Sequence, residues 1–429
     1  MKRLRGRSPH RLEAASPGRR LGPLWRNRDF ILLWSGQVVS TIGTRITSIA
    51  FPLLVLAETH SPAQAGVVGF AQSLPYMLFY LPAGALVDRW DRKRAMLVAD
   101  AGRAIALGSL AVALALGIFE LTHVIAVAFV EGTLFVFFSL SESAALPQVV
   151  PKEQLSTAVA QNQARIQGAD LAGQPLGGLL FGISRLLPFA ADAISYAISF
   201  VSLLFVRSQF QEERVRSTTR LRAEIVEGVM WLWRQQFMRA AVLLIAVSNY
   251  AFSAVILSLI VREQKLGASS GAIGIMLAFF GAGALAGSVF APSVQRRVHP
   301  KVVIIACFWI WAAAALVSAF IENPYAIGAV WAIGSSFGPI FNVTFAAYRY
   351  ALVPDRLLAR VGSAALVVAW GAIPLGQLSA GVLLEHLGGR ETILLLAALM
   401  AAVGIAATLS RTIRTAQRAE ELAALAAVA

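Results

Sequence analysis

The sequence predicts an all-α membrane protein of about twelve transmembrane helices in two pseudo-symmetric six-helix halves. Three observations carry this expectation. The chain is 57% hydrophobic and 14% charged, with a mean hydropathy of +0.68, whereas soluble domains average about 25% charged residues. Apolar runs long enough to cross a hydrocarbon core of about 30 Å recur along its length. A shift of 203 positions also lays matching residues of the second half onto the first.

The elements follow in order. Residues 1–29 form a basic polar tail with no apolar stretch that would make a cleaved signal peptide. Six apolar runs follow at 30–57, 65–87, 95–119, 123–145, 158–182 and 188–206. They form the first half, 30–206. The stretch 207–238 is polar at first and then amphipathic, with Leu221, Ile225, Val229 and Leu232 at helical spacing. It reads as a linker ending in an interfacial helix. Six further runs at 239–261, 271–292, 302–321, 325–347, 361–385 and 391–409 form the second half, 239–410, and 411–429 is a second basic tail.

The repeat needs no gap. It carries Val150-Pro151 onto Val353-Pro354, Gly168-Ala169 onto Gly371-Ala372, Gly173-Gln174 onto Gly376-Gln377, and Gly178 onto Gly381. Parallel six-helix repeats are an architecture of secondary transporters.

The formal net charge is +14. In a soluble chain that would point to nucleic acid. Here the arginines and lysines sit between apolar runs, so they read as topology signals and no nucleic-acid partner is expected. One set of connections holds Arg89, Arg92, Lys93, Arg94, Arg214, Arg216, Arg220, Arg222, Arg296, Arg297 and Lys301, and both tails are basic too. The opposite set holds only Arg185, Arg262, Lys265 and Arg390. The bias puts both termini in the cytoplasm of a multi-pass inner-membrane protein. Cys307 is the sole cysteine, which excludes an intramolecular disulfide. There is no G-x-x-x-x-G-K-[ST] loop, no Cys/His cluster and no nucleophile–base constellation. The chain is therefore expected to be no enzyme and to hold no cofactor or metal.

The connection after the second run reads Gly84-Ala-Leu-Val-Asp88-Arg89-Trp-Asp91-Arg92-Lys93-Arg94. It resembles the signature between the second and third helices of the major facilitator superfamily, G-x-L-A-D-R-x-G-R-R/K, with Asp91 where the family has glycine. The first-run segment Leu33–Arg45 and the Leu81–Asp88 and Ala99–Arg103 segments are similar to the drug/proton antiporter branch of that superfamily. That branch includes macrolide-efflux and siderophore-exporter proteins. The fifth run resembles the branch's G-P-x-x-G-G motif at Gly173, Pro175, Gly177 and Gly178, with the proline displaced by one and Gly182 a turn further on. Two readings of it stand side by side: an antiporter element, or close helix packing with a proline bend.

The resemblance implies a carrier that rocks two halves around a central cavity. It would export a small lipophilic or amphiphilic compound against an inward proton gradient, as a monomer in the lipid bilayer. Asp88, Arg89, Arg92 and Lys93 would act as gating or charge-relay residues against the other half. Charges at membrane depth are costly and default to function. Arg45 and Asp170 lie near the middle of helices that neighbour one another in this fold, which suggests a pair. Glu131 lies on a cavity-lining helix of the family, so Arg45, Glu131 and Asp170 are the candidate proton or substrate site. Thr44 stands where many members carry an acid. Asp100 and Arg103 read as an intrahelical pair, and Glu142, Arg165, Asp192 and Glu385 as groups near an interface. Asn249, Asn342 and Gln377 are polar groups with two readings, as cavity candidates or as hydrogen-bonding groups between helices. Nutrient uptake on the same fold is an alternative, as is a non-transporting receptor, which the short tails disfavour.

Overall fold

A computed structural model describes residues 24–87, 89–211, 221–354 and 357–414. The ends of both tails, the Arg214–Arg220 part of the basic linker, and Asp88, one of the expected gating residues, lie outside the described residues.

After a 3₁₀ turn at Leu24–Arg26 come α1 (Arg28–Thr59), α2 (Pro62–Val87), α3 (Arg92–Ala115), α4 (Leu121–Val149), α5 (Leu155–Ile183) and α6 (Leu187–Phe205). Then follow α7 (Leu221–Arg234), α8 (Gln236–Lys265), α9 (Ser270–Arg297), α10 (Pro300–Ser318), α11 (Pro324–Leu352), α12 (Leu358–His386), α13 (Gly389–Leu409) and the single turn α14 (Arg411–Arg414). Ten of these are long and apolar enough to cross a membrane. The other two bundle helices, α2 and α5, span 26 and 29 residues. The glutamines of α5, with Arg165 and Asp170, dilute its hydropathy. Helix ends alternate between the face that carries the termini, the tail end, and the opposite face, the far end.

Local chemistry sets these ends. Asn27, Ser269 and Asn323 cap α1, α9 and α11 with their side-chain oxygens. Far-end turns use positive φ at Gly117, Gly267 and Gly388, a conformation glycine adopts without a Cβ clash. Asp91, the departure from the family signature, caps α3: its Oδ1 accepts from the Arg94 N–H at 3.0 Å. Asp91→Ala is expected to cost about 1 kcal/mol, whereas the family's glycine would cost only a few tenths. Thermal unfolding in detergent measures both.

The repeat is built into the helix boundaries. The 203-residue shift carries α4 onto α11 and α5 onto α12 at both ends. Val150 and Val353 are the extended C-caps of α4 and α11. The proline after each disfavours helix at the residue before it, which is why this dipeptide recurs as a stop. The glycines of the repeat carry equivalent contacts. A Cβ on Gly173 would lie 2.5 Å from Arg45 Cβ on α1, and one on Gly376 would lie 2.3 Å from the Tyr250 carbonyl on α8.

Within the first half, α1 packs on α5 and α6, α3 on α4 and α6, and α2 on α4. In the second, α8 packs on α12 and α13, α9 on α11, and α10 on α13 and α11. The halves meet along two long seams, α5–α9 and α2–α12. At the far end both seams are glycine crossings. A Cβ on Gly178 would lie 2.1 Å from Ser270 O and one on Gly381 2.7 Å from Pro62 O; Gly274 and Gly66 face them across the seams. Small residues allow this backbone approach.

α7 lies outside the twelve-helix bundle and leans on α12 and α8. The expected apolar stripe is split. Leu232 is buried with Met238, Val242, Leu357 and Val361, while Val229 is exposed. The Leu221 and Ile225 side chains lie outside the described residues. The split arises because α7 packs through Gly228 and Leu232, which leaves Val229 at the flank of the contact.

Candidate functional site

A cavity of about 800 Å³ lies between the halves, lined from α1, α5, α8, α9, α10 and α11. One wall is polar: Gln163, Gln167 and Gln174 on α5, with Ser288 and Asn342 opposite. The other is aromatic, with Phe252, Phe280 and Trp311. The seams close it at the far end. Its lining runs toward the tail end through Gln163 on α5, Ser288 on α9 and Ala346 on α11.

The expected Arg45–Asp170 pair forms and faces this cavity. Arg45 Nε lies 2.5 Å from Asp170 Oδ1, with the side chains 35% and 25% exposed. Both belong to mid-helix turns of neighbouring helices, and Gly173 lets α5 approach α1 there. Gly177 repeats the contact one turn on, where its Cβ would lie 2.6 Å from Ile46 O. Gly178 instead faces α9, and Pro175 sits inside an unbroken α5. Gly182 would meet nothing within 4 Å, so it is no packing residue.

The same turn of α1 reaches a second site, buried inside the first half. Arg103 Nη2 donates to Glu131 Oε1 at 2.6 Å and to Thr44 Oγ1 at 3.3 Å. Its guanidinium lies 3.9 Å from the Tyr196 ring centroid, a cation–π distance. Tyr196 and Gln72 donate to the two oxygens of Glu131. Two aspartates flank this cluster, both fully buried. Asp192 accepts from Thr47 at 2.6 Å and from Ser195 at 2.9 Å. Asp100 accepts from Ser199 at 2.6 Å, and Ser199 accepts from Gln37.

Several expectations change. Glu131 does not line the cavity; it is 3% exposed, because α4 turns it inward onto Arg103. Arg103 pairs with Glu131 and not with Asp100, since its long side chain crosses to α4 while Asp100 turns to α6. Asp192 is a buried group, and the buried Arg165 pairs with the half-buried Glu142 at 2.6 Å. Of the three polar cavity candidates, only Asn342 lines the cavity. Asn249 donates to the Ala369 carbonyl of α12. Gln377 sits on the α2–α12 seam, its side chain over Gly69. Glu385 crosses the far end: its Oε2 accepts from Ser61 Oγ and Ala63 N–H at the start of α2.

At the tail end, Arg92 is buried and donates to the carbonyls of Ala144 and Phe210. Lys93 donates to those of Leu204 and Val206 at the end of α6. These bonds hold the loop to its own half. Arg89 is exposed. Sequence reasoning missed the hydroxyls that hold the buried aspartates. Thr44 and Thr47 lie one turn apart on the face opposite Arg45, a spacing that was visible. Tyr196, Ser195 and Ser199 carried no such signal in a run read only as apolar.

The profile of a family described as transmembrane secretion effector matches residues 19–426. The multidrug efflux pump Tap of Mycolicibacterium fortuitum is 27% identical over 396 residues, covering 88% of this chain and 94% of the relative. Macrolide efflux protein A of Streptococcus pyogenes is 28% identical over 189 residues, 44% of this chain and 47% of the relative. Among solved structures, a bacterial homologue of the human lysosomal transporter Spinster, inward-facing and unoccupied, superposes with a TM-score of 0.72 at 14% identity. It covers 92% of this chain and 99% of the other. A POT family transporter in complex with 5-aminolevulinic acid gives 0.74 at 11% identity, covering 91% and 98%. These likenesses concern the fold.

Proposed function

The chain belongs to the transmembrane secretion effector family of the major facilitator superfamily, and from that premise we propose that it exports a small amphiphilic compound in exchange for protons. The observation that carries the reading is the cavity between the halves, closed at the far end by the glycine crossings and extending toward the tail end through Gln163, Ser288 and Ala346. Rocking the halves 30–206 and 239–410 about it gives alternating access. The basic connections make the tail end cytoplasmic, so the cavity faces the cytoplasm. The linker 207–238 joins the halves there, and the tails 1–29 and 411–429 lie on the same side. The protein acts as a monomer in the inner membrane. Arg89, Arg92 and Lys93 serve as gating residues at this face, the role that the family signature also gives to Asp88.

The relatives' names, a multidrug pump and a macrolide efflux protein, agree with the lining. Aromatic rings take an apolar body, and amides and hydroxyls take its polar groups. The single Arg45–Asp170 pair leaves the wall without a net charge. Gly173, Pro175, Gly177 and Gly178 serve the close packing of α5 on α1 and α9. The buried acid cluster supports proton exchange: Asp100, Glu131 and Asp192 surround one guanidinium, and an ionised carboxylate held only by hydroxyls is costly at that depth.

Proteoliposomes with an imposed pH gradient test this, using a labelled macrolide and a lipophilic dye. Gradient-driven uptake into inside-out vesicles is expected, and Asp170→Asn is expected to lower it about tenfold, equivalent to about 1.4 kcal/mol. Uptake that ignores the gradient would sink the exchange, and absence of any uptake would sink the export reading.

A further inference from the structure

α7 has two apolar faces. One packs on the bundle: Leu232 is fully buried, and a Cβ on Gly228 would lie 2.7 Å from Arg360 O of α12. Glu227 pairs with Arg360 beside it. Among the described residues the other face has no partner. Val226, Val229, Met230 and Trp233 recur at i, i+3, i+4 and i+7, a single helical stripe, and all four are exposed. A stripe of this kind facing water would be a liability in a 14-residue helix.

The surroundings say what covers it. α7 rests on the first turns of α12, so it lies at the depth where the tail-end loops begin. Trp233 is 45% exposed. Trp25 and Trp90, on the other tail-end segments of the first half, are 46% and 47% exposed. Together they mark an aromatic belt at one membrane–water boundary. Arginines accompany each: Arg26 and Arg28, Arg89 and Arg94, and beside Trp233 both Arg234, the last residue of α7, and Arg239 in the first turn of α8, each exposed. Arg239 donates to the Trp233 carbonyl, which fixes its guanidinium against the end of the stripe.

We propose that α7 is a lipid-docking element: its Val226–Val229–Met230–Trp233 face enters the headgroup boundary of an anionic leaflet, with Arg234 and Arg239 as ligands for phosphate headgroups. Basic residues beside an amphipathic helix attract anionic lipid, and the apolar face supplies insertion. Through Gly228, Leu232 and the Glu227–Arg360 pair, the docked helix ties the start of α12 to the membrane surface. α12 forms one of the two seams, so leaflet charge acts on a helix that must move when the halves rock.

The single buried cysteine makes the test direct. In a Cys307→Ala background, the full chain with Met230→Cys carries a nitroxide and is reconstituted in phosphatidylcholine vesicles with or without phosphatidylglycerol. The expected result is that the probe becomes more accessible to oxygen and less to a water-soluble nickel chelate when phosphatidylglycerol is present. Arg234→Gln/Arg239→Gln should abolish most of that change. Elution of each variant as wild type on size exclusion controls for folding. A probe that stays water-accessible in anionic vesicles overturns the proposal. So does one shielded by a second copy of the chain, seen as a dimer in the same vesicles. Depth that responds neither to phosphatidylglycerol nor to the double substitution also overturns it. The depth measurement needs no cargo, so it stands or falls separately from the export reading.

Discussion

Arg103→Gln is expected to lose about 3–5 kcal/mol of stability, since removing one partner of a buried ion pair strands the other. Glu131 is 3% exposed, and its Oε1 takes the 2.6 Å bond from Arg103. Gln72 and Tyr196 donate to it more weakly, at 3.3 Å each. The same guanidinium also lies over the Tyr196 ring and holds Thr44, so its loss frees three helices at once. Against a total of about 5–15 kcal/mol for a typical domain, this is a large share. Little folded protein should survive heating in detergent, and transport should fall with it. Arg103→Gln/Glu131→Gln should recover much of the stability, because neutral amides replace a stranded charge. The two single variants and the double form a cycle whose coupling measures the pair. A double variant no more stable than Arg103→Gln would show that the charge pair is not what holds these helices.

Gly178→Ala and Gly381→Ala should trap the far end open. The added methyls would meet Ser270 O at 2.1 Å and Pro62 O at 2.7 Å, both backbone atoms that cannot swing aside. Overpacking costs about 1–3 kcal/mol, and about 1.4 kcal/mol shifts a two-state ratio tenfold. The cost falls only on the far-end-closed state, so each variant should move the population toward the opposite state by about tenfold or more. The two sites lie in different seams, and their effects should add. With Cys307 replaced, a cysteine at Gln174 should become reactive to an impermeant maleimide from the far end, and transport should drop by at least about tenfold. Gly168→Ala is the control. Its Cβ points into open space, so transport should stay near wild type. Unchanged labelling in Gly178→Ala would remove the crossing from the gate.

Much of the fold was legible because lipid imposes a simple rule. Each crossing must be long and apolar, and the loops between must carry the charges. The repeat was legible where the fold needs glycine or proline, as at Val150-Pro151 and Gly173, whose counterparts Val353-Pro354 and Gly376 end α11 and let α12 pack closely. The Arg45–Asp170 pair followed from depth and helix adjacency. The partner of Arg103 did not, since a three-residue spacing to Asp100 fits a helix face equally well. Only the direction of the side chains places Arg103 over Glu131. Asp192 was misjudged for a similar reason. Its distance from the helix end suggested an interface, yet α1 covers it, with Gly43 close enough that a Cβ would lie 2.3 Å from Asp192 Oδ1. Of the two readings open for Asn249 and Gln377, the structure shows helix–helix contact, a use polar groups in membrane helices serve as readily as cargo.

One turn of α1 holds Arg45 toward the cavity while Thr44 and Thr47 point into the acid cluster. The turn is a rigid piece of helix, so the two sites share a single mechanical degree of freedom. Thermodynamic reciprocity then applies. Whatever factor cargo at Arg45 applies to proton affinity in the cluster, protonation returns to cargo affinity by the same factor. In the exchange proposed above, the tightness of coupling would be tied to the stiffness of these few residues. Softening that turn, more than altering either site, is how such a pump would begin to slip.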